Sequence, residues 1–183
     1  MKKTFFQKTY NLNASLLFFA LINSILSLAF NLLVKLFGDF DIPSLNSFII
    51  IIQNKLSLLG SYTSQIATIL VLFAVSLIIV ELTQRIISDS ILNYFKSVYQ
   101  TIRLRQFLRQ DDKSESAITI DNQTTITKFN PILKNFNQTV GKATVDVRKS
   151  TVVVFLKYPR TQQAQKLLRD MEAHIKEEIS SRN

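Results

Sequence analysis

The stretch that decides the fold is Ala14–Phe37, ASLLFFALINSILSLAFNLLVKLF, in which Lys35 is the single charged residue. A helix needs about 20 mostly apolar residues to cross ~30 Å of hydrocarbon, and this run supplies them. Lys2, Lys3 and Lys8 precede it, so a cleavable secretory signal is the competing reading. Such a signal has an apolar core of roughly 7–15 residues and then a small-residue cleavage site. The run is longer than that and continues into NLLVKLFGDF, which favours an uncleaved span.

Working outward, a second apolar run, SQIATILVLFAVSLIIVELTQ, has its centre at Ile66–Val80. The expected spans are 14–37 and 64–82. Between them, Gly38, Asp39, Asp41 and Pro43 close the first helix. Leu45, Phe48, Ile49, Ile52, Leu56 and Leu59 then recur at helical spacing, with Asn46, Gln53, Asn54 and Lys55 elsewhere. The segment 44–60 reads as an amphipathic helix in the outer interface, with a third packed helix as the alternative.

Charge divides the chain in the same place. Residues 1–80 hold five Lys/Arg and two Asp/Glu, against seventeen and eleven in 81–183, which sum to the net +9. The first part is the membrane region and the second is aqueous. Arg85, Lys96, Arg103, Arg105 and Arg109 follow the second span, whereas the intervening loop offers Lys55. The positive-inside rule then puts both termini of a multi-pass protein in the cytoplasm, and the membrane expected is a bacterial cell membrane.

From Glu81 to Arg109 the pattern predicts one continuous helix with an apolar stripe at Leu82, Ile86, Ile91, Phe95, Val98 and Ile102. Its basic residues Lys96, Arg103, Arg105 and Arg109 suit an anionic leaflet, at ~1 kcal/mol each. They suit nucleic-acid phosphates by the same charge. QDDKSES, residues 110–116, marks a boundary after this 81–110 juxtamembrane helix. The remainder, 117–183, reads as a small α+β module. AITI and TTITKF are strand candidates, and NPILKNF is a short helix capped by Asn130 with Pro131 at its first position. In KATVDVRKSTVVVFLKY, Ala143, Val145 and Val147 alternate with Thr144 and Asp146 as a half-buried strand, and TVVVFLKY reads as a central strand. Thr161 opens one last helix bearing Ala164, Leu167, Leu168, Met171, Ile175 and Ile179 on a single face. The fold class expected is an integral membrane α+β protein: two transmembrane helices, a basic juxtamembrane helix and a cytoplasmic αββα module.

Much chemistry is excluded. Without cysteine there is no disulfide, thiolate zinc site or Cys nucleophile, and one His makes no imidazole zinc site. Three glycines, Gly38, Gly60 and Gly141, build no phosphate-cradling loop. Asp111–Asp112 and Glu177–Glu178 are adjacent pairs that diverge on a helix. The expectation is a protein without catalytic residue, metal or cofactor.

Three sets of residues are left to carry function. Asn23, Ser27 and Asn31 fall at i, i+4 and i+8 of the first span, a stripe for helix packing or for a pore. Lys96, Arg103, Arg105 and Arg109 are the lipid or phosphate contacts. Lys142, Arg148, Lys149, Lys157 and Arg160 are candidates for partner docking. No aromatic platform interleaves with these cations, and the last helix mixes signs, so nucleic acid is expected to be an indirect partner.

YQTIRLRQFLRQ, ITKFNPILKNF and the stretch from Lys142 to Ile175 resemble, in layout, the N-terminal membrane-anchor region of FtsK/SpoIIIE-like (TcpA-type) conjugative coupling proteins. The ATPase motor of that family, with its Walker motifs, is missing from this sequence. The resemblance implies an anchor or accessory subunit of a multiprotein assembly for DNA transfer (conjugation, type IV secretion-like) or plasmid maintenance. Membrane lipids, protein partners and further copies of the chain would be its contacts. The alternative is an oligomeric membrane effector or channel whose cytoplasmic module senses a signal.

Overall fold

The computed structural model describes residues 3–38, 46–110 and 131–181. The chain divides into two compact units, Lys8–Thr83 and the combination of Met1–Gln7 with Gln84–Asn183. The chain is mostly helical. Helices α1 (Phe5–Gly38), α2 (Asn46–Ser88), α3 (Ile91–Leu108) and α4 (Pro131–Val140) precede strands β1 (Thr144–Val147) and β2 (Val152–Phe155), and α5 (Gln162–Asp170) and α6 (Glu172–Ser180) follow.

In the first unit α1 and α2 lie antiparallel. The Ser27 hydroxyl donates to the Gly60 carbonyl at 2.8 Å. A methyl group on Gly60 would lie 3.4 Å from Phe30 Cβ and from Asn31 Oδ1, and one on Gly38 would lie 3.5 Å from Gln53 Nε2. Advancing from 27 to 38 on α1 therefore moves the contact from 60 back to 53 on α2. Small residues recur every seven positions along this seam. Ala20 and Ser27 are buried on α1, and Gly60, Ala67 and Ala74 on α2, with Ala74 wholly inaccessible. A seven-residue repeat keeps two helices in continuous contact, and small side chains let their backbones approach. The outer faces carry the bulk: Phe18, Phe19, Leu28, Leu32, Ile69 and Leu72 are all more than half exposed. Both helices are long and apolar enough to cross a membrane, and only 11% and 17% of their most apolar windows are buried.

The segment expected at 44–60 and the span expected at 64–82 are one helix of 43 residues. Gly60 interrupts nothing because it lies buried in the seam, and Gln53 faces the other helix rather than an interface. The first helix also begins earlier than 14. Thr4 and Gln7 form a capping box, in which the Thr4 hydroxyl accepts from the Gln7 N–H at 3.3 Å and Gln7 Oε1 accepts from the Thr4 N–H at 3.2 Å.

In the second unit β1 and β2 pair antiparallel, with Val145 opposite Val154 and Val147 opposite Val152. Leu104, Leu108, Phe136, Val140, Ala143, Val145, Val147, Ala164, Leu168 and Ile175 form its core. The continuous helix expected from Glu81 to Arg109 breaks at Asp89–Ser90, between α2 and α3. Asp89 Oδ1 there accepts from the Asn93 amide at 2.8 Å and the Lys149 N–H at 3.1 Å, so the break anchors the hairpin turn. The expected last helix divides at Met171, which lets Leu168 of α5 and Ile175 of α6 reach one core. Pro131 occupies the first position of α4 as expected, while Asn130, AITI and TTITKF lie outside the described residues.

The two strands exchange their expected roles. Every residue of β1 is buried, including Thr144 and Asp146, which alternation had placed in solvent. β2, expected as a central strand, is half-buried throughout. The cause is Arg85, whose wholly buried guanidinium covers Asp146 on the face that the alternation reads as wet.

Candidate functional surface

The unit is organised around β1, whose backbone alternates direction. Arg148 N–H donates to the Thr151 carbonyl at 2.9 Å, which sets the register so that residues 143, 145 and 147 turn their backbone groups away from β2. Helix α3 meets that edge with side chains one turn apart. Ser97 Oγ accepts from the Val147 N–H at 2.9 Å. Thr101 Oγ1 accepts from the Val145 N–H at 3.0 Å and donates to the Val145 carbonyl at 3.3 Å. Arg105 Nε donates to the Ala143 carbonyl at 2.8 Å. A helix face thus stands where a third strand would, and the buried donors of β1 are satisfied.

Arg85 completes this arrangement. Its guanidinium pairs with Asp146, donates to the Val147 carbonyl at 3.0 Å, and lies 3.5 Å from Asp89. The rings of Phe6 and Tyr94 lie 5.4 Å and 5.8 Å from it, edge to face with each other. Gln7 Nε2 donates to the Val153 carbonyl at 2.9 Å, and Lys3 sits 3.9 Å over the Phe155 ring. The residues preceding the first apolar run are therefore built into the second unit.

The predicted docking residues separate into two groups. Arg148 and Lys149 lie at the hairpin turn, where Arg148 is held by Asp146 at 3.1 Å and the Lys149 N–H by Asp89. Lys142, Lys157 and Arg160 come together around a cavity of about 200 Å³ beside α4, with Asn135, Gln138, Thr139 and Tyr158. On the other flank of α4 a cleft of about 590 Å³ is lined by Arg105, Arg109, Lys134, Asn137 and Gln138 among others. Gln138 borders both. Neither lining contains an Asp or Glu among the described residues. The seam between α3 and α4 is fixed by reciprocal bonds of the Asn137 amide to the Gln110 backbone, at 2.9 and 2.7 Å.

Lys96, Arg103 and Arg105 of α3, with Arg109 at its C-cap, do not form one patch. At ~100° per residue, Lys96 and Arg103 share one face while Arg105 and Arg109 lie on the opposite side. Arg103 is exposed and donates to the Tyr99 hydroxyl of its own helix at 3.1 Å. Of the intramembrane stripe, Ser27 is buried against Gly60, Asn23 is half-buried and donates to the Phe19 carbonyl, and Asn31 is exposed at the rim of the Gly60 contact.

Sequence reasoning missed Ser97 and Thr101, whose i, i+4 spacing with Arg105 is legible in SVYQTIRLR once that face is read as polar. It also missed Tyr158, which is 62% exposed between Lys157 and the basic cavity's Arg160. A separate apolar groove of about 740 Å³ runs along β2, lined by Val152, Val154, Leu156, Leu168, Ile175 and Ile179 among others. His174 is exposed, and among the described residues no group of His, Asp and Glu could hold a metal. No protein-family model, curated protein or solved structure matches the chain.

Proposed function

We propose that this chain is a non-enzymatic membrane anchor or accessory subunit, which holds a basic cytoplasmic module for docking within a multiprotein assembly at the inner membrane. One observation carries the reading: the long helices put glycine, alanine and serine inside and large apolar side chains outside. In water that arrangement would expose a far larger apolar patch than a soluble monomer tolerates, whereas hydrocarbon favours it. The chain reads 26 residues without a charge from Thr9 to Val34, and 25 from Leu56 to Val80. Because α1 and α2 are antiparallel, Lys35 and Lys55 bracket these stretches at one end, and Lys8 and Glu81 at the other. The second span is then 56–80, and the start of α2 projects beyond the outer leaflet.

The basic surface flanking α4 supports docking, since it gathers Lys142, Lys157 and Arg160 around one cavity and Arg105, Arg109 and Lys134 along the neighbouring cleft. The layout shared with coupling-protein anchors makes DNA transfer the assembly of choice. A channel is the lesser reading, because Ser27 spends its hydroxyl on Gly60 within the chain.

The lack of cysteine makes the topology directly testable. Ser47→Cys and Ser150→Cys single variants are treated in intact cells with a membrane-impermeant maleimide. Labelling of Cys at 47 and protection at 150 until lysis is the expected result. Labelling of both before lysis, or recovery of the protein in the soluble fraction, rejects the anchor.

A further inference from the structure

We infer that the exposed face of α3 seats in the headgroup region of an anionic leaflet, which holds the second unit side-on to lipid. This deepens the anchor proposed above and rests on it. Leu92, Phe95, Tyr99 and Ile102 recur at i+3 and i+4 spacing along α3, and each is between 45% and 71% exposed. The opposite stripe is already engaged: Ser97 and Thr101 bond the edge of β1, and Leu104 and Leu108 lie in the core. The helix is therefore fixed with its apolar stripe outward, and a contiguous apolar surface of this kind marks an interaction site.

Three observations select anionic lipid as the occupant. The first is charge: Lys96 and Arg103 share one flank of the stripe, and no Asp or Glu occurs from Ser90 to Gln110. The Lys96 ammonium is exposed and unpaired among the described residues. Arg103 donates through Nε to the Tyr99 hydroxyl at 3.1 Å, which leaves its Nη atoms for phosphate. A second copy on this face would set these like charges against each other, whereas anionic headgroups oppose them. The second is Tyr99, an amphipathic ring of the kind that collects at the membrane–water boundary. The third is the tether. Leu92 lies twelve residues beyond Val80, where the charge-free stretch ends, or about 18 Å at helical rise. The chain thus delivers the face to the membrane surface at high effective concentration. Ile86 and Ile87, both more than half exposed, continue the apolar surface along that segment.

The chain has neither tryptophan nor cysteine, so single reporters can be placed on the full protein. Tyr99→Trp, Ile69→Trp and Tyr158→Trp variants are reconstituted in vesicles of phosphatidylcholine and phosphatidylglycerol, with the phosphatidylcholine brominated either near the carboxyl end or near the methyl end of its acyl chain. All substituted positions are exposed, so the variants are expected to keep the circular dichroism of the parent. The indole at 99 should be quenched more by the shallow bromine, the one at 69 more by the deep bromine, and the one at 158 by neither. Charge is read from Phe95→Cys, whose rate of labelling by a water-soluble maleimide follows the fraction of time the face spends in water. Each cation near an anionic surface is worth a factor of about five. Adding Lys96→Gln and Arg103→Gln should therefore speed labelling by up to about 25-fold in the phosphatidylglycerol vesicles, and little in pure phosphatidylcholine. Quenching at 69 without quenching at 99 overturns this assignment and leaves the anchor standing, whereas no quenching at 69 removes both. Blue-shifted emission at 99 without quenching means that a second copy covers the face, and overturns it too. So does equal quenching at 99 and 158, or a labelling gain that is the same in both lipids.

Discussion

Arg85, in the last turn of α2, follows an apolar run and would pass, in sequence, for an ordinary positive-inside charge. Its wholly buried guanidinium instead joins Asp146, Asp89, the Val147 carbonyl and two aromatic rings. Removing one partner of a buried ion pair leaves an uncompensated charge and costs about 3–5 kcal/mol. Arg85→Ala should therefore lower the thermal midpoint of the solubilised protein steeply, while Lys96→Ala should leave it nearly unchanged. Ser97 and Thr101 act on the same strand by a different route. Thr101→Val keeps the shape but leaves the Val145 N–H without its acceptor, a loss of about 1–3 kcal/mol. Urea unfolding followed by circular dichroism should show it, with Thr101→Ser recovering most of the loss. These roles were hidden in sequence because the β1 partners, Val145, Asp146 and Val147, lie 44 to 62 residues away. Periodicity reports which face is apolar, and says nothing of which polar groups will meet there.

At the scale of elements, the apolar runs were legible and their boundaries were not. Ala14–Phe37 and Ile66–Val80 fall inside the two long helices, as their length and hydropathy demand. Gly60 and Gln53 misled, since glycine and a polar cluster within an apolar run read as a break. Their meaning depends on the seam against α1, which exists only once both helices are placed. Gly60→Leu should force that seam apart, because even a methyl would sit 3.4 Å from Phe30 Cβ. Overpacking of this kind costs about 1–3 kcal/mol, and should appear as a lower thermal midpoint that Gly60→Ala largely avoids. The sheet offers a second contrast. Val154 turns its N–H away from β1 and Val153 turns its own toward it. Proline belongs only where no ladder bond is lost, so Val154→Pro should be far better tolerated than Val153→Pro in expression and circular dichroism. The exchange of roles between β1 and β2 has the same origin as the Arg85 result: alternation at Thr144 and Asp146 was real, but the face it described was already occupied.

For the whole molecule, the division into two units was visible in the charge distribution, but the border was not. Residues Met1–Gln7 belong with the second unit, through Phe6 and Gln7, although they precede the first apolar run. A truncation beginning at 117 would remove part of that unit and leave α3 without the strand it supports. Deleting residues 1–7 should likewise destabilise the second unit, read as faster proteolysis after residue 84 in detergent. The candidate docking surface was half legible. Its cations were in view, but only the fold separates Lys142, Lys157 and Arg160 from Arg148 and Lys149, and brings Arg105, Arg109 and Lys134 to the neighbouring flank.

In the membrane anchor proposed above, the matched charge-free lengths of the helical pair would also act as a ruler. Twenty-six and twenty-five residues measure about 39 and 38 Å, against a hydrocarbon thickness of ~30 Å. A pair standing upright would lift the outermost apolar turns into the headgroups, and leaning by roughly 40° would bring them back. Thickening the bilayer reduces that lean. Vesicles made from longer acyl chains should therefore hold the pair nearer to upright, and a membrane of uneven thickness should collect the protein in its thicker regions.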